Sequence, residues 1–191
     1  MNFIEQTANE IFSLYALHGG EDYIGEPVSQ LEHMHQMSML AEEAGHDDDV
    51  ILAAFFHDIG HLVAATGSYA SMDGYGAVSH ETIGADYLRR KGFSEKLISL
   101  VESHVVAKRY LTFRYPEYLS RLSDASIKTL QVQGGVMTEE EAREFEEDPL
   151  FEIKVQFRKW DDEAKVTGRP VTGWQNLKPL VIRHLETQSS F

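Results

Sequence analysis

The 191-residue chain contains no cysteine. That absence excludes disulfide scaffolds, zinc knuckles, iron–sulfur clusters and thiol nucleophiles together, so any bound metal must be held by nitrogen and oxygen ligands. Basic residues are the second shortage: 17 Lys and Arg stand against 31 Asp and Glu, a formal charge of −14. Such a field repels polyphosphate backbones and anionic lipid, which argues against nucleic acid or a membrane as partner but leaves room for a small anion where a few cations converge. No apolar stretch approaches the roughly 20 residues that span a bilayer. The first ten residues carry Glu5 and Glu10 and no Lys or Arg, unlike the basic start of a signal peptide. The expectation is an unprocessed, cytoplasmic protein forming one domain over 1–191, since that length suits a single substantial core.

What the chain does have is helical periodicity. Phe3, Ile4, Ala8, Ile11, Phe12 and Tyr15 recur at helix spacing up to Gly19 and Gly20. Ser29 and Glu32 have capping-box spacing and open a helix running towards Gly45, and Thr138 with Glu141 repeats the signal for an acidic helix through Phe145. Asp47, Asp48 and Asp49 place negative charge at the start of the apolar run 51–56, which leads into His57 and Asp58. Further helices are predicted over 79–90, 94–111, 117–133, 151–164 and 177–185. The stretch 60–76, rich in Gly, Ser and Ala, reads as a mobile loop and lid candidate. The predicted class is all-α.

Nine histidines then need sorting. His33, the His57–Asp58 pair, His80 and His104 each fall on or beside a different predicted helix, with Asp161 on a later one. Neutral imidazoles and carboxylates suit iron, manganese or zinc, and packed helices can converge them on one point. Six ligands with one shared carboxylate suffice for two metals. His18, His46 and His184 sit near helix ends in polar company and carry no ligand assignment. His35 is two residues from His33, about 200° away around a helix, so the two do not face one site.

The set His33, His57–Asp58 and Asp161 matches the H…HD…D pattern of the HD-domain superfamily, an all-helical metal-dependent fold known mostly for phosphohydrolases. More specifically, the chain resembles the HD-domain mixed-valent di-iron oxygenases that cleave carbon–phosphorus bonds. The resemblance rests on Tyr23-Ile24-Gly25-Glu26, residues 29–33 and 53–61, Gly74-Tyr75-Gly76, residues 84–89, 104–111 and 122–126, and Trp160-Asp161. It covers about 20–165. It implies that His33, His57 and Asp161 ligate one iron and His80 and His104 the other, with Asp58 bridging. Tyr23 then occupies the second iron while the site is empty, with Glu26 as its hydrogen-bond partner, and both leave when substrate arrives. His61, Lys108, Ser126, Thr129, Gln133 and Arg158 match positions around the substrate, chiefly its phosphonate. The resemblance implies two iron ions in a mixed Fe(II)/Fe(III) state, dioxygen as co-substrate, an organophosphonate as substrate and a hydroxylase upstream in the same pathway. The reaction implied converts a 1-hydroxy-2-amino- or 1-hydroxy-2-(trimethylammonio)ethylphosphonate into inorganic phosphate and glycine or glycine betaine. Ser71, Met72 and Asp73 depart from the family pattern, which leaves the amine substituent open.

Helical spacing gives partial support of its own. Lys108 lies four residues after His104, Arg158 three before Asp161 and His61 four after His57, so each shares a face with a proposed ligand if its helix continues. Ser126, Thr129 and Gln133 form an i, i+3, i+7 stripe. Two cations with hydroxyl and amide donors make a pocket for a small dianion. The competing readings are an HD phosphohydrolase acting on a nucleotide or small phosphate ester through a metal-activated water, and a catalytically idle module binding a small regulator or partner protein.

Overall fold

Residues 50–56 are apolar on every face, and a helix of that kind belongs at the centre of a core. In the computed structural model, which describes residues 2–23, 25–67, 69–70, 72 and 76–189, that helix is α3 (Asp48–Phe56), with every side chain from Val50 to Phe56 buried. Before it come α1 (Phe3–His18) and α2 (Gln30–Glu43), and after it α4 (Ile59–Ala65), α5 (His80–Lys91) and α6 (Glu95–Arg114). The chain continues through α7 (Pro116–Leu119), α8 (Asp124–Val132), α9 (Glu139–Glu146), α10 (Phe151–Glu163) and α11 (Leu177–Gln188). The fold is all-α, and the described residues include no strand beyond an isolated bridge between Asp22 and Ser29. Ile24, Ser71, Asp73, Gly74 and Tyr75, on which part of the sequence comparison rests, lie outside the described residues.

Helices α2, α6 and α11 pack against α3, and Tyr15 of α1 covers its aromatic end. Tyr15 stacks on Phe55 at 4.3 Å and its hydroxyl donates to the Phe55 carbonyl at 2.6 Å, satisfying one of the acceptors that the end of α3 leaves open. The second half of α6 joins a separate cluster of Tyr110, Leu111, Met137, Ala142 and Phe145, so this long helix runs from one core to the other. His104 and Lys108 lie along it. No helix is long and apolar enough to cross a membrane among the described residues.

Both expected capping boxes form, Ser29 with Glu32 and Thr138 with Glu141. Two expectations fail. The segment expected as one helix over 117–133 is broken at 120–123, because Ser123 adopts an extended backbone and turns its Oγ to the Ser126 amide, starting α8 afresh. The expected loop over 60–76 is helical as far as Ala65. Backbone packing explains this: a Cβ on Gly60 would lie 1.9 Å from the His80 carbonyl oxygen, so only glycine lets α4 lie against the start of α5.

Candidate metal centre and its cavity

Six side chains from five places in the sequence meet inside the bundle. His33 comes from α2, His57 and Asp58 from the break after α3, His80 from the first residue of α5, His104 from mid-α6 and Asp161 from α10. All six are buried. Asp58 faces two ways. Its Oδ2 lies 3.3 Å from His57 Nε2 and 3.6 Å from His33 Nε2, while Oδ1 lies 3.3 Å from His80 Nε2 and 3.5 Å from His104 Nε2. Asp161 Oδ1 completes the first group, 3.3 Å from His33 Nε2.

The proton positions follow from the acceptors. His33, His57 and His104 each direct Nδ1 to a main-chain carbonyl, of Ala164, Ala54 and Val101, at 2.8–3.0 Å. With the proton on Nδ1, Nε2 of each neutral ring is a bare lone pair. Yet Nε2 of His33 is 2.9 Å from Nε2 of His57, and Nε2 of His80 is 2.8 Å from Nε2 of His104. The lone pairs of His33 and His57 at that distance repel unless a cation lies between them, and those of His80 and His104 do so when His80 too carries its proton on Nδ1. Asp58 Oδ2 and Asp161 Oδ1, both buried, meet no donor in hydrogen-bonding geometry among the described residues. Bare nitrogens and orphaned carboxylate oxygens in two groups that share one carboxylate fit a pair of divalent or trivalent metal ions.

Electrostatics keep the groups ready. Burial, reinforced by neighbouring His80, pushes the His104 imidazole down to about 3, so the ring is neutral at ordinary pH. Burial opposes ionisation of Asp161, but the Arg158 guanidinium outweighs it and holds the carboxyl well below the usual range. Arg158 is almost fully committed: Nη1 to Asp161, Nη2 to Asp162 and Nε to the Tyr118 hydroxyl at 3.0 Å. It therefore buttresses a ligand as well as facing the cavity, and the sequence signalled neither Tyr118 nor Asp162.

A cavity of about 70 Å³ opens on one side of this cluster. His80, His104 and Asp161 line it, whereas His33, His57 and Asp58 lie behind. Lys108, Ser126, Thr129, Gln133, Arg158 and His61, chosen from sequence, all border the same space. Lys108 Nζ donates to Thr129 Oγ1 at 3.0 Å, and burial, with Arg158 nearby, pushes its ammonium down to about 7. Gln30 borders the cavity too and was missed; its amide oxygen and that of Gln133 are buried without donors, and nothing in sequence separates Gln30 from an ordinary helix start.

His61 arrives there by a different route from the one its spacing suggested. The helix does not continue past His57, because Asp58 leaves helical geometry (φ −106, ψ 13) and α4 begins anew at Ile59. Its ring stacks on His80 at 4.1 Å, and Gly76, at φ 97, makes room for it, since a Cβ there would lie 2.4 Å from His61 Cε1. With Asp58 and His80 it forms a group that could itself hold an ion.

Tyr23 stacks on His33 at 4.2 Å, and burial, together with Asp58 and Asp161, holds its phenol proton firmly on. Glu26 is tied to it through the main chain, its amide donating to the Tyr23 carbonyl at 2.8 Å. The Glu26 carboxylate takes other partners than the expected phenol: it accepts from Ser123 Oγ at 2.6 Å and from Lys165 Nζ at 2.7 Å. His35 is buried away from the cluster, His18 pairs with Glu21, His46 meets the edge of the Trp160 ring, and His184 is buried, accepting from the Ser94 amide.

Known proteins place this arrangement. The HD domain family matches residues 31–151. An uncharacterized protein of Acanthamoeba polyphaga mimivirus is 44% identical over 190 residues, covering all of this chain and 87% of its own. The [1-hydroxy-2-(trimethylamino)ethyl]phosphonate dioxygenase (glycine-betaine-forming) of Leisingera caerulea is 38% identical over 92% of this chain and 89% of its own. The hydroxymethylphosphonate dioxygenase of Gimesia maris is 36% identical over 89% of this chain and 84% of its own. Matched over most of its length by the family and by these relatives, and carrying a buried histidine–aspartate cluster at its centre, the chain belongs to the HD-domain family.

Proposed function

We propose that this protein is an oxygenase that cleaves the carbon–phosphorus bond of a 1-hydroxyphosphonate, using two iron ions held by His33, His57, Asp58, His80, His104 and Asp161. The observation that carries this reading is Asp58, with one carboxylate oxygen on each histidine pair, beside a cavity bordered by Lys108 and Arg158. Two relatives named as phosphonate dioxygenases support it. The iron pair, when bound, would supply the redox chemistry with dioxygen.

The chain's own residues do the rest. Lys108 and Arg158 offset the charge of the phosphonate, and Ser126, Thr129 and Gln133 can donate to its oxygens. Tyr23 covers the cluster when no substrate is there and gives way when one enters, so the reactive centre is exposed to dioxygen only with its target in place. The balance is simple: the carbinol carbon gains one oxygen atom from dioxygen and leaves as a carboxylate, and phosphorus leaves as inorganic phosphate with the other. A 2-amino substituent yields glycine, a 2-trimethylammonio one glycine betaine. Such a substrate needs a preceding hydroxylation at the carbon that bears phosphorus, and a reducing cytoplasm would keep the iron supplied.

The test is phosphate release from 1-hydroxyphosphonates bearing hydrogen, aminomethyl or trimethylammoniomethyl on the carbinol carbon, with iron(II), ascorbate and air. Release should consume dioxygen one for one. Equal release under argon would mean hydrolysis, the phosphohydrolase chemistry of other HD domains, and would overturn the reading.

A further inference from the structure

Three of the four proposed histidine ligands are braced in the same manner, each Nδ1 donating to a main-chain carbonyl. His80 is not. Its Nδ1 is buried without an acceptor in bonding geometry, and 3.5 Å away lies Glu81 Oε2, a carboxylate oxygen equally buried and equally without a donor. A donor and an acceptor, each otherwise orphaned and facing one another across a gap slightly too long for a bond, need only a small movement of the Glu81 side chain to satisfy both.

The surroundings leave the ring little else to do. Ser79, just before it, is the one non-glycine residue with positive φ among the described residues (φ 56, ψ 37), a costly conformation that fixes how α5 begins. Gly60 brings α4 against the His80 carbonyl, and the His61 ring covers one face of the imidazole. Backbone and ring plane are thus constrained, and the remaining freedom is which nitrogen carries the proton. Were the proton on Nε2, the ring would point an N–H at the place a metal should take.

We propose that Glu81 is the positioning residue of the second metal position: it accepts a hydrogen bond from His80 Nδ1–H and so leaves Nε2 bare for the ion. The assignment rests on the reading that His80 and His104 hold a metal. The first turn of α5 suits a carboxylate, because the helix dipole favours negative charge there. A carboxylate partner also makes an imidazole a stronger donor than a carbonyl partner does. Losing that partner would therefore weaken the support that the second position gives to a higher oxidation state.

The experiment is iron(II) titration of the metal-free protein under argon, by competition with a chromophoric chelator, on the parent chain, Glu81→Ala and Glu81→Gln. The parent should take two ions. Glu81→Ala should keep the first and bind the second about 10–100-fold more weakly. Glu81→Gln keeps the shape without the charge, so it folds even where the alanine variant does not. It should bind the second ion more weakly than the parent, and its iron pair should be reduced at a higher potential. Two ions bound with parental affinity, and an unshifted potential, in the folded variants would overturn the proposal and leave the metal centre standing. A parent that binds fewer than two ions would overturn both.

Discussion

His33 and His57 form a walled-in half of the centre, both imidazoles fully buried and each braced by a main-chain carbonyl, whereas His80 and His104 face the cavity beside His61, and Asp161 reaches from His33 to the cavity wall. Both halves use the same ligand types. Their settings differ in what can change: His33 and His57 are closed off by packing, and His80 and His104 border the cavity that the proposed substrate would enter. We read the inner half as an anchor and the outer half as the exchanging position. Asp58 belongs to both, and variants at these residues separate the two roles.

Asp58→Ala should break the comparison altogether. Both halves lose their common oxygen, so iron bound per chain should fall further than in any single histidine variant and turnover should vanish; a variant retaining both ions would refute the bridging assignment. Next in size, His80→Ala and His104→Ala should each leave about half the parental iron and no phosphate release, since about one ligand set remains intact. Full iron occupancy in either would remove that residue from the centre.

Lys108 tests the cavity side alone. Its ammonium is charged below about pH 7 and neutral above, so affinity for the anionic substrate should decline as pH rises through that region, and Lys108→Met should lack that limb in a kcat/KM profile. Stability moves the other way. Between about 7 and the ordinary 10.5 the unfolded chain binds the proton that the folded one sheds, so the burden on the fold is greatest below pH 7 and fades towards 10.5. Lys108→Met should therefore be more stable than the parent at neutral pH, by on the order of 2 kcal/mol, in calorimetry without substrate. The smallest effect belongs to Lys165→Met. Releasing Glu26 from one of its two partners should ease displacement of the Tyr23 loop and lower KM by about 3–10-fold, with faster loss of activity in air as the accompanying sign. An unchanged KM would show that the Glu26 contact is structural only.

The helices with strong signals were legible because cap and pattern agreed: Ser29 with Glu32, Thr138 with Glu141, and the acidic start before the apolar 51–56 run. The convergence of histidines was legible from residue types and helix count, with His33 preferred to His35 mainly on the family resemblance. The end of α3 at His57 and Asp58 was legible, but the renewed helix α4 was not, because Gly60 and the Gly-, Ser- and Ala-rich stretch after it read as loop, and only the close packing of Gly60 on the start of α5 shows why glycine stands inside a helix. Glu81 escaped for a related reason. Neighbours in sequence point about 100° apart around a helix, so nothing in the order of residues says that Glu81 reaches back to the far nitrogen of His80. Lys165, meeting Glu26 across 139 positions, has no sequence signal at all.

The absence of sulfur from the donor set has a practical outcome. Imidazole nitrogens and carboxylate oxygens accept zinc, manganese and iron alike, and raw affinity among these ions favours zinc. The fold offers no thiolate by which to discriminate. On the proposed iron chemistry, correct loading would fall to the supply available as the chain folds, and a preparation made in zinc-rich medium should carry metal and release no phosphate.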